Sequence, residues 1–423
     1  MRYLVVGAGP AGVIAAETLR NTDPGGEVVL VGGEPEPAYS RMAIPYYLAG
    51  SIGEPGTYLR PEPDHFSRAG IDFRHDRLLR LDAAAGQAHL AKGGATPFDR
   101  LLIATGSSPA VPPVPGLTQP GIHTCWTLAD ARAIAAAAKP GARVVLVGAG
   151  FIGCIILEAL VERGVQLTVV EQAPRMVARM MNDVAAGMIK RRCEQNGVEV
   201  LTDTLVDGVA ERGGNGEPFK VHLKSGRVLE ADLVITATGV RPNLEFLEGS
   251  GIETGQGVLV DETLRTSVPH VYAAGDVAEG RDFSTGGQSV HAIQPTASEH
   301  GRIAALNMAG VESAYTGSLI MNVLDTLGLI SSSFGRWDGV ADGEEVALRD
   351  DVRQRYLQLQ FADDVLVGAN SVGMTQHVGV LRGLIQGRFR LGVWKRRLQA
   401  DPTRVMEAYL ACAGSPLPVG GAQ

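Results

Sequence analysis

Apolar runs and polar breaks follow one another in a strand-then-helix rhythm. Tyr3-Leu-Val-Val6 is a short continuous apolar run, followed by a glycine-rich turn and a helix-like stretch to Arg20. Glu27-Val-Val-Leu-Val31 predicts a second strand. The same order returns at Val144 to Val147, with a glycine turn, a helix-like stretch to Arg163 and a strand from Gln166 to Glu171. Such unbroken β-branched runs belong to strands buried on both faces, as in a parallel sheet. Phe98 to Gly106 and Ala231 to Gly239 each read as a strand ending in Ala-Thr-Gly, and Val271 to Asp276 as a strand ending in Gly-Asp. Later the period changes. Arg355 to Phe361 alternates, and Asp364 to Asn370 is placed to pair with it across Ala362-Asp363. Pro402 to Cys412 reads as a helix, and Gly414 to Gln423 as a fraying end.

The two turns carry the candidate chemistry. Gly7-Ala-Gly9-Pro10-Ala11-Gly12 and Gly148-Ala-Gly150-Phe151-Ile152-Gly153 are both G-x-G-x-x-G, each between a strand and a helix. The first glycine makes the tight turn, the second admits a pyrophosphate to the backbone, and the third lets helix and strand pack closely. Free N–H groups at the helix start then face the phosphates. Glu171 stands at the end of the second strand of the later copy, where a carboxylate accepts from both ribose hydroxyls and repels a 2′-phosphate. That favours NADH over NADPH, while nearby Arg175 is able to hold a phosphate. In the earlier copy the strand ends at Gly32, and the nearest acid is Glu34.

Composition narrows the classes. At 423 residues, 45% hydrophobic and 20% charged, the chain is globular, with a prior of about three domains. Its 54 glycines show no triplet period. A net charge of −8 argues against a nucleic-acid grip. No apolar run is long enough for a spanning helix, so no membrane role is expected. Arg2 and the apolar residues to Ala16 imitate a signal peptide, but the strand–turn–helix reading uses the glycine spacing. Cys125, Cys154, Cys193 and Cys412 form no C-x-x-C pair, and no metal-ligand set stands out. Buried, inert thiols in a reducing, cytoplasmic setting are expected.

Two dinucleotide fingerprints, two Ala-Thr-Gly strand ends and the late Ala-Ala-Gly-Asp276 together resemble the FAD-dependent pyridine nucleotide–disulfide oxidoreductase superfamily, over residues 1 to about 310. The resemblance implies an α/β fold with two Rossmann-like three-layer domains, the second inserted in the first. The FAD-binding domain would comprise 1–112 and 240–310, the NAD(H)-binding domain 113–239, and a C-terminal α+β interface or dimerisation domain 311–423. It implies FAD at Gly7, Gly9, Pro10, Ala11 and Gly12, with Glu34 and Arg41 at its adenosine half and Leu78 near the adenine. Ala104, Thr105, Gly106 and Gly275 would line the cofactor, and Asp276 would accept from the ribityl chain; the other reading of Asp276 is a helix N-cap. NAD(H) would meet Gly148, Gly150, Phe151, Ile152, Gly153, Glu171 and Gly239. Phe151 resembles a gating aromatic over the flavin, and equally a packing residue at a helix start.

Within the superfamily no C-x-x-x-x-C pair exists, and the single redox cysteine of the NADH oxidase and CoA-disulfide reductase branch is replaced by Met42, which forms no thiolate. Tyr39-Ser40-Arg41, the Val290 to Gly310 stretch and Tyr315-Thr-Gly317 onward resemble the ferredoxin and rubredoxin reductases and the flavin module of NADH-dependent nitrite reductase. A Lys and a Glu that many relatives hold near the nicotinamide are Tyr46 and Ile155 here. Both charges are absent together, so neither is left unpaired. Glu158 is either their substitute or a surface residue. The helix start around Ala297 to Gly301 would stabilise reduced flavin. His300 and His291 are candidate neighbours of the flavin ring, and read more readily as packing or capping residues.

The resemblance implies hydride transfer from NADH to FAD and electrons onward to a ferredoxin, rubredoxin or iron–sulfur subunit. The alternatives are the flavin subunit of a larger dehydrogenase reducing NAD+, a thiol-independent NADH oxidase, and a flavin-bearing binding protein with a decayed nicotinamide site. A homodimer is left open. Arg388, Arg390, Lys395, Arg396 and Arg397, with Phe389 and Trp394, form a basic stretch that either docks an acidic redox partner or is a solvated helix end.

Overall fold

The computed structural model describes residues 1–210 and 217–414, so the expected fraying lies, from residue 415 on, outside the described residues. The chain forms two compact units: residues 1–110, 125–135 and 239–318, and residues 111–124, 136–238 and 319 onward. The units cut the chain differently from a threefold division. Residues 125–135 and 311–318 go with the first fingerprint, and the C-terminal module goes with the second.

The first unit is built on a parallel sheet in the order Val271–Ala273, Arg100–Ile103, Arg2–Val6, Glu27–Gly32, Ile71–His75. Leu4, Val5, Leu30, Leu102 and Ile103 are almost wholly buried, which is why these strands read as continuous apolar runs. The chain leaves Arg2–Val6 toward Glu27–Gly32 on one side, and Arg100–Ile103 returns on the other. The fingerprint turn therefore lies at a topological switch point, where open α/β sheets hold ligands. Helix Pro10–Thr22 packs on helix Gln294–Met308, and a Cβ at Gly301 would lie only 2.2 Å from the Ala11 carbonyl oxygen. An antiparallel meander, Leu78–Asp82, Gln87–Leu90 and Gly94–Pro97, completes the unit.

The second unit repeats the plan with Glu199–Leu201, Gln166–Val170, Arg143–Val147, Leu233–Thr236 and Ile122–His123, all parallel. Its meander is Val206–Ala210, Phe219–Leu223 and Val228–Ala231. It also holds a five-stranded antiparallel sheet, ordered Met321–Thr326, Leu329–Gly335, Val365–Val372, Arg355–Ala362, Glu344–Asp350. The expected hairpin forms with its turn one residue later than expected: Ala362 ends the strand opposite Val365, and the turn is Asp363-Asp364, with Asp363 in the left-handed region at φ +49°. Helices Val378–Gly387, Val393–Ala400 and Val405–Ala413 follow the sheet. Among the described residues no helix is long and apolar enough to cross a membrane.

Candidate functional site

At Gly7 the backbone takes φ +119°, and a Cβ there would lie 2.0 Å from the Ala104 carbonyl oxygen. A Cβ at Gly12 would lie 1.7 Å from the carbonyl oxygen of Gly7. Gly9 differs: no atom lies within 4 Å of where its Cβ would stand. Gly9 is also the N-cap of helix Pro10–Thr22, and no side chain caps that end. The helix start therefore combines unclaimed N–H groups with open space beside the second glycine, as a bound diphosphate requires.

The second turn repeats this arrangement. Gly148 has φ +103° and its Cβ would lie 2.4 Å from the Ala237 carbonyl oxygen. The Gly153 Cβ would lie 2.3 Å from the Gly148 carbonyl oxygen, Gly150 has nothing within 4 Å, and helix Phe151–Glu162 starts uncapped. Ala104 and Ala237, the first residues of the two Ala-Thr-Gly ends, are thus the walls against which the turns close. Phe151 and Ile152 are half-buried in the first turn of that helix.

The acids differ. In the first unit Glu34 pairs with Arg41 at 2.6 Å and accepts from the Tyr39 hydroxyl at 2.6 Å. Arg41 donates to the Trp126 carbonyl at 2.6 Å and stacks 5.2 Å from that indole. In the second unit Glu171 accepts from the N–H of Ala149, inside the glycine turn, at 2.6 Å and from Ala173 N–H at 2.7 Å. Arg175 is committed elsewhere, paired with Asp183 at 2.9 Å and donating to the Met181 and Ala178 carbonyls. Its expected availability for a phosphate is not found.

Leu78 is buried at the start of its meander strand, opposite Leu90. Thr105 and left-handed Gly106 are tied down by Asn243, whose Nδ2 donates to Thr105 O at 2.8 Å and whose N–H donates to Gly106 O at 3.0 Å. Asn243 and its partner Ser108 were not singled out from sequence; the turn signal Pro242-Asn243 behind the second Ala-Thr-Gly was the available cue. Gly239 takes φ +109° with open space beside it.

Asp276 lies in a short helical turn, Gly275–Val277, well before the next α-helix, whose N-cap is Ile293; the capping reading is thereby corrected. Burial pushes its carboxyl upward, against the Ser107 hydroxyl, which donates at 3.1 Å, and Arg41. His300 supports this turn, its Nδ1 accepting from Gly275 N–H at 3.3 Å. Burial, with His291 adding, pushes the His300 imidazole down to about 3. His291 stands 3.6 Å from Asp282.

Met42 and Tyr46 are exposed, at 46% and 61%. Ile155 is half-buried on its helix. Glu158 is half-buried on its helix and faces the hairpin turn at Leu327–Gly328, and burial, Asp325 and Glu162 raise its carboxyl; it lies outside the glycine turn. Cys125, Cys154 and Cys193 are buried with thiols pushed up by desolvation, while Cys412 is only partly buried, against expectation. Among the described residues no group of three or more His, Cys, Asp or Glu is placed to hold a metal ion.

The family profile described as pyridine nucleotide-disulphide oxidoreductase matches residues 1–301. The NADH-dependent phenylglyoxylate dehydrogenase subunit epsilon of Aromatoleum evansii is 33% identical over 408 residues, covering 96% of each chain. The biphenyl dioxygenase system ferredoxin–NAD(+) reductase component of Paraburkholderia xenovorans is 34% identical over 276 residues, 65% of this chain and 66% of that one. The covalent putidaredoxin reductase–putidaredoxin complex shares the fold, with TM-score 0.90 and 23% identity over 98% of this chain and 99% of that chain.

Proposed function

Because the chain belongs to the pyridine nucleotide-disulphide oxidoreductase family, we propose that this oxidoreductase uses FAD and NAD(H), drawing hydride from NADH and delivering electrons to an iron–sulfur protein. The carrying observation is the duplicated glycine turn, each copy with an uncapped helix start and open space at its second glycine. The first unit's turn binds the FAD diphosphate through Gly7 to Gly12. Glu34 and Arg41 hold the adenosine half, Leu78 flanks the adenine, and Ala104 to Gly106 with Gly275 and Asp276 meet the remainder. Gly148 to Gly153 and Glu171 hold NADH. The FAD, NAD(H) and C-terminal domain division belongs to the same proposal.

When bound, the flavin supplies the exchange between hydride and single electrons, and the chain binds and orients. Its own contribution is fixed geometry. Asn243 and Ser108 lock the Ala104–Ser108 turn, and His300 locks Gly275. NADH is preferred on this reading because a carboxylate at the Glu171 strand end would accept from the ribose hydroxyls and repel a 2′-phosphate, while Arg175 is held by Asp183. No thiol takes part, since Met42 occupies the redox position and burial raises the Cys125, Cys154 and Cys193 thiols. Arg390, Arg396 and Arg397 are exposed and pair with no carboxylate among the described residues. They offer an acidic acceptor a face that salt would weaken.

A second reading, the flavin subunit of a larger dehydrogenase running toward NAD+ reduction, is favoured by the end-to-end match with the phenylglyoxylate dehydrogenase subunit. Anaerobic mixing with NADH tests the shared claim: the yellow absorbance bleaches, and its persistence at millimolar NADH sinks it. Reoxidation by added iron–sulfur proteins, and not by O2 alone, then supports a protein acceptor. Copurification with iron–sulfur subunits selects the second reading.

A further inference from the structure

The loop that follows Glu171 is held from two sides within the second unit. Val177 sits at φ +46°, a costly conformation for a β-branched residue. Its N–H donates at 2.8 Å to the carbonyl of Ala149, in the middle of the glycine turn. Ala149 is thereby held at both its polar groups, its N–H by Glu171 and its carbonyl by Val177, with the Cys154 thiol also donating to that carbonyl at 3.6 Å.

Three residues beyond Val177 the loop meets the antiparallel sheet. Asn370, wholly buried on strand Val365–Val372, donates from Nδ2 to the Met180 carbonyl at 3.2 Å. Its Oδ1 accepts from Asn182 N–H at 3.1 Å. Asn182 Nδ2 in turn donates to the Tyr356 hydroxyl at 2.7 Å and to Gln358 Oε1 at 2.9 Å on the adjacent strand. Strained backbone persists only where its surroundings over-determine it. Here the surroundings are the glycine turn on one side and a buried amide on the other. Burying an amide is costly unless its bonds are made, and Asn370 makes them to this loop.

We infer that Asn370 is a positioning residue: through it the C-terminal sheet clamps loop 172–182 onto the second glycine turn and thereby sets the turn's affinity for the nicotinamide nucleotide. The inference rests on the reading of that turn as the NADH site. It gives the C-terminal module a part in nucleotide binding with no nucleotide contact of its own.

The experiment uses the full-length flavoprotein and the variants Asn370→Leu and Tyr356→Phe. Amide hydrogen exchange is followed without nucleotide in segments 172–182 and 148–152, and KM and kcat are measured with NADH. In Asn370→Leu, exchange quickens in both segments and KM rises roughly 2- to 30-fold, the span of couplings carried through packed networks. Flavin content and kcat at saturation stay as in the parent. Tyr356→Phe, which removes one anchor of Asn182, moves exchange and KM the same way by less, and decides the matter alone if Asn370→Leu does not fold. Unchanged exchange at 148–152, or faster exchange with KM unmoved, overturns the inference. If the parent protein binds no NADH, the proposed function fails instead, and exchange at 148–152 alone judges the clamp.

Discussion

At Gly7 and at Gly148 the chain makes one turn twice, with φ of +119° and +103° and a carbonyl, of Ala104 or Ala237, too close for any Cβ. The acids behind the turns are wired differently. Glu34 is bound to Arg41 and Tyr39, residues outside its turn, and Arg41 carries the link to Trp126. Glu171 is bound to an amide inside its turn, and the loop behind it reaches back to the same residue. Glycine geometry therefore leaves both turns the same room beside their second glycine. On the proposed reading it serves a diphosphate in each copy, and discrimination between nucleotides falls to the side-chain wiring particular to each copy.

The largest effects come from breaking the shared part. Gly7→Ala forces a left-handed alanine against Ala104 O, and Gly148→Ala does the same against Ala237 O. Each change should cost about 2–4 kcal/mol in urea unfolding, as strained or overpacked sites do. The functional losses should separate. Gly7→Ala yields colourless protein, whereas Gly148→Ala keeps its flavin and is no longer bleached by NADH. Loss of flavin from both variants alike would erase the assignment of one nucleotide to each turn.

Next comes the wiring. Glu171→Ala removes the acceptor for Ala149 N–H and Ala173 N–H. Its kcat/KM for NADH should fall about 5- to 150-fold, the equivalent of about 1–3 kcal/mol for unsatisfied partners. The NADPH to NADH ratio should rise at the same time. Glu34→Ala should lower flavin retention while leaving NADH kinetics per bound flavin within about twofold, because its pair with Arg41 is about one-third exposed on both sides and worth about 1 kcal/mol or less. Equal NADH defects in the two variants would show that the difference in wiring has no functional meaning.

The shared part was legible from the sequence and the wiring was not. A continuous apolar run such as Tyr3 to Val6 announces a buried parallel strand, and the glycine spacing announces the turn, because both are local consequences of sterics. Asn370 is 188 residues from Asn182, and no local pattern marks either as a clamp. Val177 was invisible for the same reason: its φ is imposed by partners, against its own preference. Glu158 shows the limit in reverse. Helical spacing put it one turn beyond Ile155, yet only the fold reveals that it meets the Leu327–Gly328 hairpin turn. The strand Ile122–His123 has no apolar run to announce it and exists as the edge partner of Val234 and Ile235.

The smallest effect sharpens a remaining difference. Gly275 in the first unit is held by a buried imidazole, His300, whose burial drives it from 6.5 down to about 3. The folded protein then refuses a proton that the unfolded chain accepts. Stability from this group is fully present above pH 6.5 and is lost as the pH falls from there toward 3. Between pH 7.5 and 5.5 the loss amounts to about 1 kcal/mol, in a window where most carboxylates stay charged. In His300→Leu the absolute stability drops as well, because Gly275 N–H loses its acceptor. The informative quantity is the slope of urea-unfolding free energy against pH, which should flatten by about that amount relative to the parent. Parallel slopes in the two proteins would mean that His300 carries its proton in the fold, and that the Gly275 turn is not held by a neutral ring.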